Sequence, residues 1–351
     1  MTHFYNKSPD PKDIGLTSTG AAAKEVADFC FNRCPDRGES YNPVGIILEH
    51  KHGYEPRPHT NFRGRGPWYV LERGEGEWEI ERFWQAVYPG HSEIPDPAGL
   101  PSNATPMDRE SHCLHESVLG DPFDVLTDRC PEEVMARYPR LMTLGPKLLA
   151  SLKRYVRAGG ELLVNAAHLS DRTMKESVLG VTFGDWIYSS KGNRRFWIRR
   201  VKPTTARVVL ADSKGNPMIL ENEVGKGRVI LVTVKHSLTG KTIGNRSRYL
   251  PDVLDFMKTW IAPVYPVRVE TTRGHAPHYA LNKLSDGWLV TVGNHYGSAW
   301  SGTVTLAAPA VTRVKELWTQ SAIRHEPGEG ELKFRARVPQ YSFRVFRCRR
   351  A

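Results

Sequence analysis

The chain has 351 residues with 40% hydrophobic side chains, enough to bury a large core, and cores tend to split into two domains beyond about 250–300 residues. No window approaches the run of about 20 apolar residues that a membrane-spanning helix needs, and that excludes a helical membrane protein. The net charge of +11 raises the question of a polyanion partner, but the excess is scattered. Its local clusters are Arg194-Arg195, Arg199-Arg200 and Arg347 to Arg350, without a recognition helix, a glycine-aromatic RNA signature or finger spacing, so nucleic acid is not expected.

Residues 1–15 are polar and proline-rich. No charged segment runs into an apolar one after Met1, so a secretory leader is not expected and a cytoplasmic location is the default. A helix is expected from about Ala21 to Arg33 with Val26, Phe29 and Cys30 on one side, ended by Cys34-Pro35-Asp36-Arg37-Gly38. Pro43 to Glu49 is a continuous apolar run, the pattern of a parallel strand buried on both faces. His50 to Gly76 reads as a loop, Glu77 to Val87 as a helix with Ile80, Phe83, Trp84 and Val87 inward, and Tyr88 to Gly120 as an extended proline-rich segment. A loop of that length inside a compact domain is usually functional or an interface. Asp121 to Thr127 restores a short strand, and Pro131 to Tyr138 opens a helical turn.

Tyr138 to Ala167 reads as strand, helix, strand: Leu141–Leu144, a helix opening with Pro146, a Gly159-Gly160 stop, then Leu162-Leu163-Val164. Proline at the first helical position gives up only an N–H that would be orphaned there, and glycine takes the left-handed conformation past the last turn at little cost. Leu148, Leu149, Leu152, Tyr155 and Val156 recur at helical spacing, so one face packs on a sheet in a βαβ crossover. Asp171–Leu179 follows as a helix or turn, and an aromatic, basic hairpin region runs to Val201. Val208–Leu210, Met218–Leu220 and Val229–Val234 read as strands, the last two joined across Val224 to Gly227, and Tyr249 to Ile261 as an amphipathic helix. Beyond Pro263-Val264-Tyr265-Pro266 the apolar residues alternate: Trp288, Val290, Val292; Leu332, Phe334, Ala336, Val338. The fold class is therefore α/β, a parallel sheet flanked by helices, followed by a small antiparallel β-sandwich. The expected divisions are an N-terminal extension over 1–40, the α/β domain over 41–264 and the sandwich over 265–351.

Open parallel sheets bind ligands outside the carboxyl ends of their strands. Those ends lead to Glu49, His50, His52 and Tyr54, to Gly145, to His168 with Ser170 and Asp171, and to His236 with Ser237. The candidate ligand-facing residues are Glu49, His50, His52, Tyr54, His168 and His236. Their spacing fits no metal-ligand motif, so neither metal nor cofactor is expected, and solvated loop histidines or histidines at a subunit contact are the simpler reading. A Ser170–His168–Asp171 triad is not expected, because neighbours on one turn rarely align three groups. Cys30, Cys34, Cys113, Cys130 and Cys348 are odd in number and include no Cys-x-x-Cys pair, which reads as reduced thiols. Asp121, Asp124 and Glu110 could form a glycosidase acid/base pair, although Asp before Pro and Asp near a strand start are more often turn and cap residues. Trp68, Tyr69, Trp78, Trp84, Trp186 and Trp197 could supply a sugar platform or simply core. Asn103-Ala104-Thr105 has only the form of a glycosylation sequon.

The α/β order resembles class I glutamine amidotransferase-like domains, whose nucleophile is a cysteine on the turn after the strand matching Leu162–Val164. Here that turn is Asn165-Ala166-Ala167-His168, with no thiol to activate. Taken together, LTSTGAAAKEVADF, CPDRGESYNPVGIILEHKHGY, GDPFDVLTD, the YPRLMTLG…LKRYVRAGGELLV unit and ENEVGKGRVILVTV resemble the region downstream of the catalytic barrel in β-galactosidase-like glycoside hydrolases. In that family an amidotransferase-like trimerisation domain is followed by a small β domain. The resemblance implies a homo-oligomer, with a trimer among the options, and a wall for a neighbouring active site, which draws attention to Glu49–Tyr54 for carbohydrate contact. The family's catalytic glutamates stand in a barrel of roughly 200 residues or more; fifteen residues precede Leu16, so the barrel is expected to be missing and no catalytic residue transfers. The leading expectation is a non-catalytic accessory or oligomerisation module. The alternatives are a carbohydrate-active hydrolase using the histidine-rich strand ends, for which His168 or Glu49 would be essential, and a basic polyanion-binding protein.

Overall fold

The computed structural model describes residues 24–48, 120–192, 194–235, 251–274, 277–294, 297–308, 311–328 and 330–350. Glu49, His50, His52, Tyr54 and His236 lie outside the described residues, as do the expected helix at 77–87 and the proline-rich segment after it. The chain divides into two units, Asn42–Pro266 and the residues up to Tyr41 together with Val267–Ala351.

The first unit is built on one seven-stranded sheet. Its strands are β2 (Val44–Leu48), β3 (Phe123–Thr127), β4 (Arg140–Thr143), β5 (Glu161–Asn165), β8 (Arg207–Ala211), β9 (Pro217–Val224) and β10 (Gly227–Val232), in the spatial order β3-β2-β4-β5-β10-β9-β8. From β3 to β10 every neighbour is parallel, and β9 and β8 then add antiparallel, so the sheet is mixed. The continuous apolar runs behave as their composition requires: β2 and β4 are buried along their whole length, covered on both faces. Helix α1 (Glu132–Met135) precedes β4, α2 (Ala150–Ala158) joins β4 to β5, and α3 (Pro251–Ile261) closes the unit. Helix α2 turns Leu152 and Val156 into the core and carries Arg157 in its last turn.

The start of α2 differs from the sequence expectation. The helix begins at Ala150 rather than Pro146, with Leu149 extended at φ −60°, ψ 153°. The reason is competition for the Pro146 carbonyl, which accepts the Ser170 N–H at 3.0 Å and the Thr173 hydroxyl at 2.8 Å. Its oxygen serves the segment after β5, where two short 3-10 turns, Thr173–Lys175 and Ser177–Leu179, stand in place of a regular helix. The Gly159-Gly160 stop falls where the helix ends. Among the described residues no helix is long and apolar enough to cross a membrane.

Between those turns and β8 stands a long antiparallel hairpin, β6 (Val181–Lys191) and β7 (Arg194–Pro203), with a register shift between Phe183 and Trp186. It is fastened to the chain leaving β10: Ile198 bridges Val234, Arg199 N–H donates to Thr233 O at 2.9 Å, and Lys235 N–H donates to Trp197 O at 2.9 Å.

The second unit contains two antiparallel sheets. One has the order β1-β12-β13-β19-β15-β16, the other β11-β14-β18-β17. In the same order their ranges are Glu39–Ser40, His278–Leu284, Gly287–Asn294, Ser342–Arg350, Val311–Glu316 and Ser321–Ala322, then Val267–Arg273, Trp300–Leu306, Leu332–Val338 and His325–Pro327. Strand β18 alternates strictly, with Leu332, Phe334, Ala336 and Val338 buried and the residues between them exposed. Phe334 on β18 meets Phe346 on β19 with ring centroids 5.0 Å apart, so the sheets pack face to face.

The other face of the six-stranded sheet is also covered. Leu284, Leu289 and Val345 form a cluster with Phe29 and Cys34 from the N-terminal helical segment, whose π-helical turn is Phe29–Arg33. The described part of the expected N-terminal extension thus packs on this unit, and β1 pairs with β12.

Candidate functional site

The turn after β5 occupies the carboxyl edge of the sheet, where a ligand site is expected. Asn165, 4% exposed, donates from Nδ2 to Val234 O at 3.1 Å and accepts the Ala167 N–H on Oδ1 at 2.8 Å. Its Nδ2 therefore fastens the turn to the chain leaving β10, and its Oδ1 folds the turn on itself. Ser170 shares a 2.9 Å hydrogen bond with Thr173, and Gly145 N–H donates to the Thr143 hydroxyl at 3.2 Å. His168 corrects the reading of solvated loop histidines: it is buried, 9% exposed. The turn is folded back by Ala166 N–H on Val232 O and His168 N–H on Asn165 O. The structure brings His168, Ser170 and Asn165 onto one turn; Glu49, His50, His52, Tyr54 and His236 lie outside the described residues.

Of the carboxylates considered for acid/base chemistry, Asp124 is committed to structure. Asn42 Nδ2 donates to one of its oxygens at 2.8 Å and the Tyr138 hydroxyl to the other at 2.9 Å. Burial, reinforced by the hydrogen bond to Asp124, pushes the Tyr138 phenol up to about 12. The pair ties the start of β2 to β3 and to the chain entering β4. Glu110 lies outside the described residues.

At the opposite edge Glu161 is a hub that sequence reasoning missed. Both its oxygens accept from Arg228 Nη2 at 3.0 Å, and Trp260 Nε1 donates at 2.8 Å. Arg140, 6% exposed, approaches at 3.4 Å and donates to Trp260 O, and burial draws its guanidinium below the ordinary arginine value. Arg228 continues to Glu221, which also holds Arg207. A groove of about 770 Å³ opens beside this network, lined among others by Glu132, Arg140, Ser151, Tyr155 and Glu161. Glu132 pairs with Arg154 and Glu161 with Arg140 and Arg228, so these charges satisfy one another and the groove reads as a structural seam.

Cys30, Cys34, Cys130 and Cys348 are free. Burial raises Cys34 and drives Cys348 up to about 12, which keeps both protonated. No group of three His, Cys, Asp or Glu side chains among the described residues is placed to hold a metal ion.

Among the described residues near the carboxyl edge, the hairpin carries exposed aromatic surface. Its register sets Trp186 opposite Arg199, Tyr188 opposite Trp197 and Ser190 opposite Arg195, which places these six side chains on one face. Tyr188 is 54% and Trp197 45% exposed, their rings 5.4 Å apart and inclined at 62°. Arg199 Cζ lies 5.5 Å and Lys235 Nζ 5.9 Å from the Trp186 ring centre, both within cation–π range. Trp186 and Trp197 were named from sequence as platform residues; the period-two pattern Trp186-x-Tyr188 and Arg195-x-Trp197-x-Arg199 could have added the rest. Trp68, Tyr69, Trp78 and Trp84 lie outside the described residues.

No protein-family model matches the chain, and no curated protein matches its sequence. Solved structures do match in fold. The β-galactosidase from Bacillus circulans sp. alkalophilus aligns with a TM-score of 0.53 at 12% identity, over 98% of this chain and 48% of that one. The β-galactosidase from Rahnella sp. R3 gives 0.53 at 13%, over 95% and 45%. The α-L-fucosidase isoenzyme 2 from Paenibacillus thiaminolyticus gives 0.53 at 11%, over 95% and 51%. The chain spans about half the length of the solved chains it matches, and at these identities the likeness is one of fold.

Proposed function

We propose that the chain is a non-catalytic accessory module of the kind carried by β-galactosidase-like glycoside hydrolases, an amidotransferase-like α/β domain followed by a β-sandwich, and that it assembles as a homo-oligomer. The observation that carries this reading is the alignment in fold over 95–98% of this chain with only about half of glycosidase chains. The order of the parallel strands supports the finer assignment: numbered along the chain, β3-β2-β4-β5-β10 reads 2-1-3-4-5, the flavodoxin-like order. The turn Asn165–His168, where the amidotransferase resemblance would place a cysteine, carries no thiol, and Asn165 at its head hydrogen-bonds the backbone. A hydrolase acting through His168 would require that buried imidazole to reach substrate. The resemblance to trimerisation domains makes a trimer the first assembly to look for. Sedimentation equilibrium tests it: a mass that is a multiple of 39.6 kDa is expected, and a 39.6 kDa monomer at micromolar concentration would overturn the oligomer.

A further inference from the structure

We propose that the outer face of the β6–β7 hairpin is a binding platform for acidic oligosaccharide. Three cross-strand pairs, Trp186–Arg199, Tyr188–Trp197 and Ser190–Arg195, form a strip on one face of the hairpin, about 14 Å long at the spacing of same-face residues on a strand. Its centre is the exposed Tyr188–Trp197 pair, and an indole of this kind offers a flat apolar surface for the C–H face of a pyranose ring.

The flanks of that pair are cationic. Arg199 and Lys235 both stand over Trp186, and Arg195 is exposed at the far end. Elsewhere in this unit Arg140 and Arg228 are neutralised by Glu161, Arg207 by Glu221 and Lys191 by Asp252. None of the ion pairs among the described residues involves Arg195 or Arg199, and Arg199 Nε is buried without a hydrogen-bond partner among them. A planar guanidinium with unused donors recognises a carboxylate or sulfate in bidentate fashion, so the charge that complements this face is negative and the ring that fits between the charges is a sugar.

The geometry favours a sugar over a single-stranded nucleic acid. Bases stack on open ring faces along a groove that tracks the phosphates, whereas Trp186 is capped by two cations and the Tyr188 and Trp197 rings are inclined to one another. The platform is also held in place, since β7 is hydrogen-bonded through Trp197 and Arg199 to the segment leaving β10. The choice of a carbohydrate rests in part on the accessory-module reading, but the two fail separately: turnover or a monomeric mass would defeat that reading, and loss of binding would defeat this one.

The test is calorimetric titration of the full chain with trigalacturonic acid, galactotriose and a short oligothymidylate at two salt concentrations. Trigalacturonic acid is expected to bind, more weakly at the higher salt, and to bind roughly tenfold more weakly to Trp197→Ala and to Arg199→Gln, with galactotriose weaker on the wild-type chain. Thermal melts of the variants should match the wild type; if Arg199→Gln lowers the melt, Arg195→Gln, at an exposed position, replaces it. Absence of trigalacturonate binding, unchanged binding in both variants, or tighter binding of the oligothymidylate would overturn the proposal.

Discussion

Glu161 shows how much one carboxylate at a strand start can hold. It neutralises Arg228 and the nearly buried Arg140 and accepts from the Trp260 indole, joining β4, β5, β10 and α3. Glu161→Gln leaves the nearly buried Arg140 without its counter-charge and Arg228 with Glu221 alone, and should cost about 3 kcal/mol in urea unfolding. Tyr138 gives a pH-dependent counterpart. Its folded pKa is raised to about 12 from the ordinary 10, so the fold favours the neutral phenol. The associated stability is complete below pH 10 and is lost as pH rises toward 12. Tyr138→Phe should flatten that part of the stability–pH curve and cost about 1 kcal/mol below pH 10 through the lost bond to Asp124. Neither role was legible in the sequence, because Arg228 and Trp260 lie 67 and 99 residues from Glu161 and no local spacing records the meeting of Tyr138 with Asp124. The aromatic-basic hairpin was partly legible, because cross-strand neighbours there follow from period-two alternation on two adjacent strands.

The elements obey their local signals wherever no distant group competes for the same backbone atoms. The end of α2 did, because Gly159 at φ 122° closes the helix with its own N–H on Val156 O. Its start did not, because Ser170 and Thr173 claim the Pro146 carbonyl from beyond β5. The turn between β9 and β10 tucks under the end of α2: a Cβ on Gly227 would lie 2.2 Å from Gly160 O and 2.3 Å from Val156 O. Gly227→Ala must push helix and hairpin apart and should cost about 2 kcal/mol, read by chemical denaturation. At the N-terminal segment, β1 can lie beside β12 because Gly38, at φ +65°, has no Cβ to strike Lys283 O. Phe29 then fills the outer face of the six-stranded sheet, 4.9 Å from Trp318. Phe29→Ala should lower the stability of the β unit by about 3 kcal/mol, visible as an earlier unfolding transition. Of the apolar side expected there, Phe29 and Cys30 pack on the cluster while Val26 is exposed, and the partner was not readable, since it comes from strands some 250 or more residues away in the chain.

At the scale of the molecule, a mixed α/β sheet and a β-sandwich reproduce the fold of about half of several glycosidase chains. The succession of units was legible because hydrophobic period changes from helical and continuous to strict alternation after Pro266, and such patterns need no knowledge of long-range contacts. The candidate site was less so: of six expected ligand-facing residues, His168 alone falls among the described residues, where it is buried. We propose that this chain lacks a hydrolytic centre of its own. The most direct measurement is release of nitrophenol from aryl β-galactoside and aryl α-fucoside by the purified full chain. Release no faster than with the heat-denatured chain is predicted; steady turnover that follows the protein through purification and disappears in His168→Ala would contradict it.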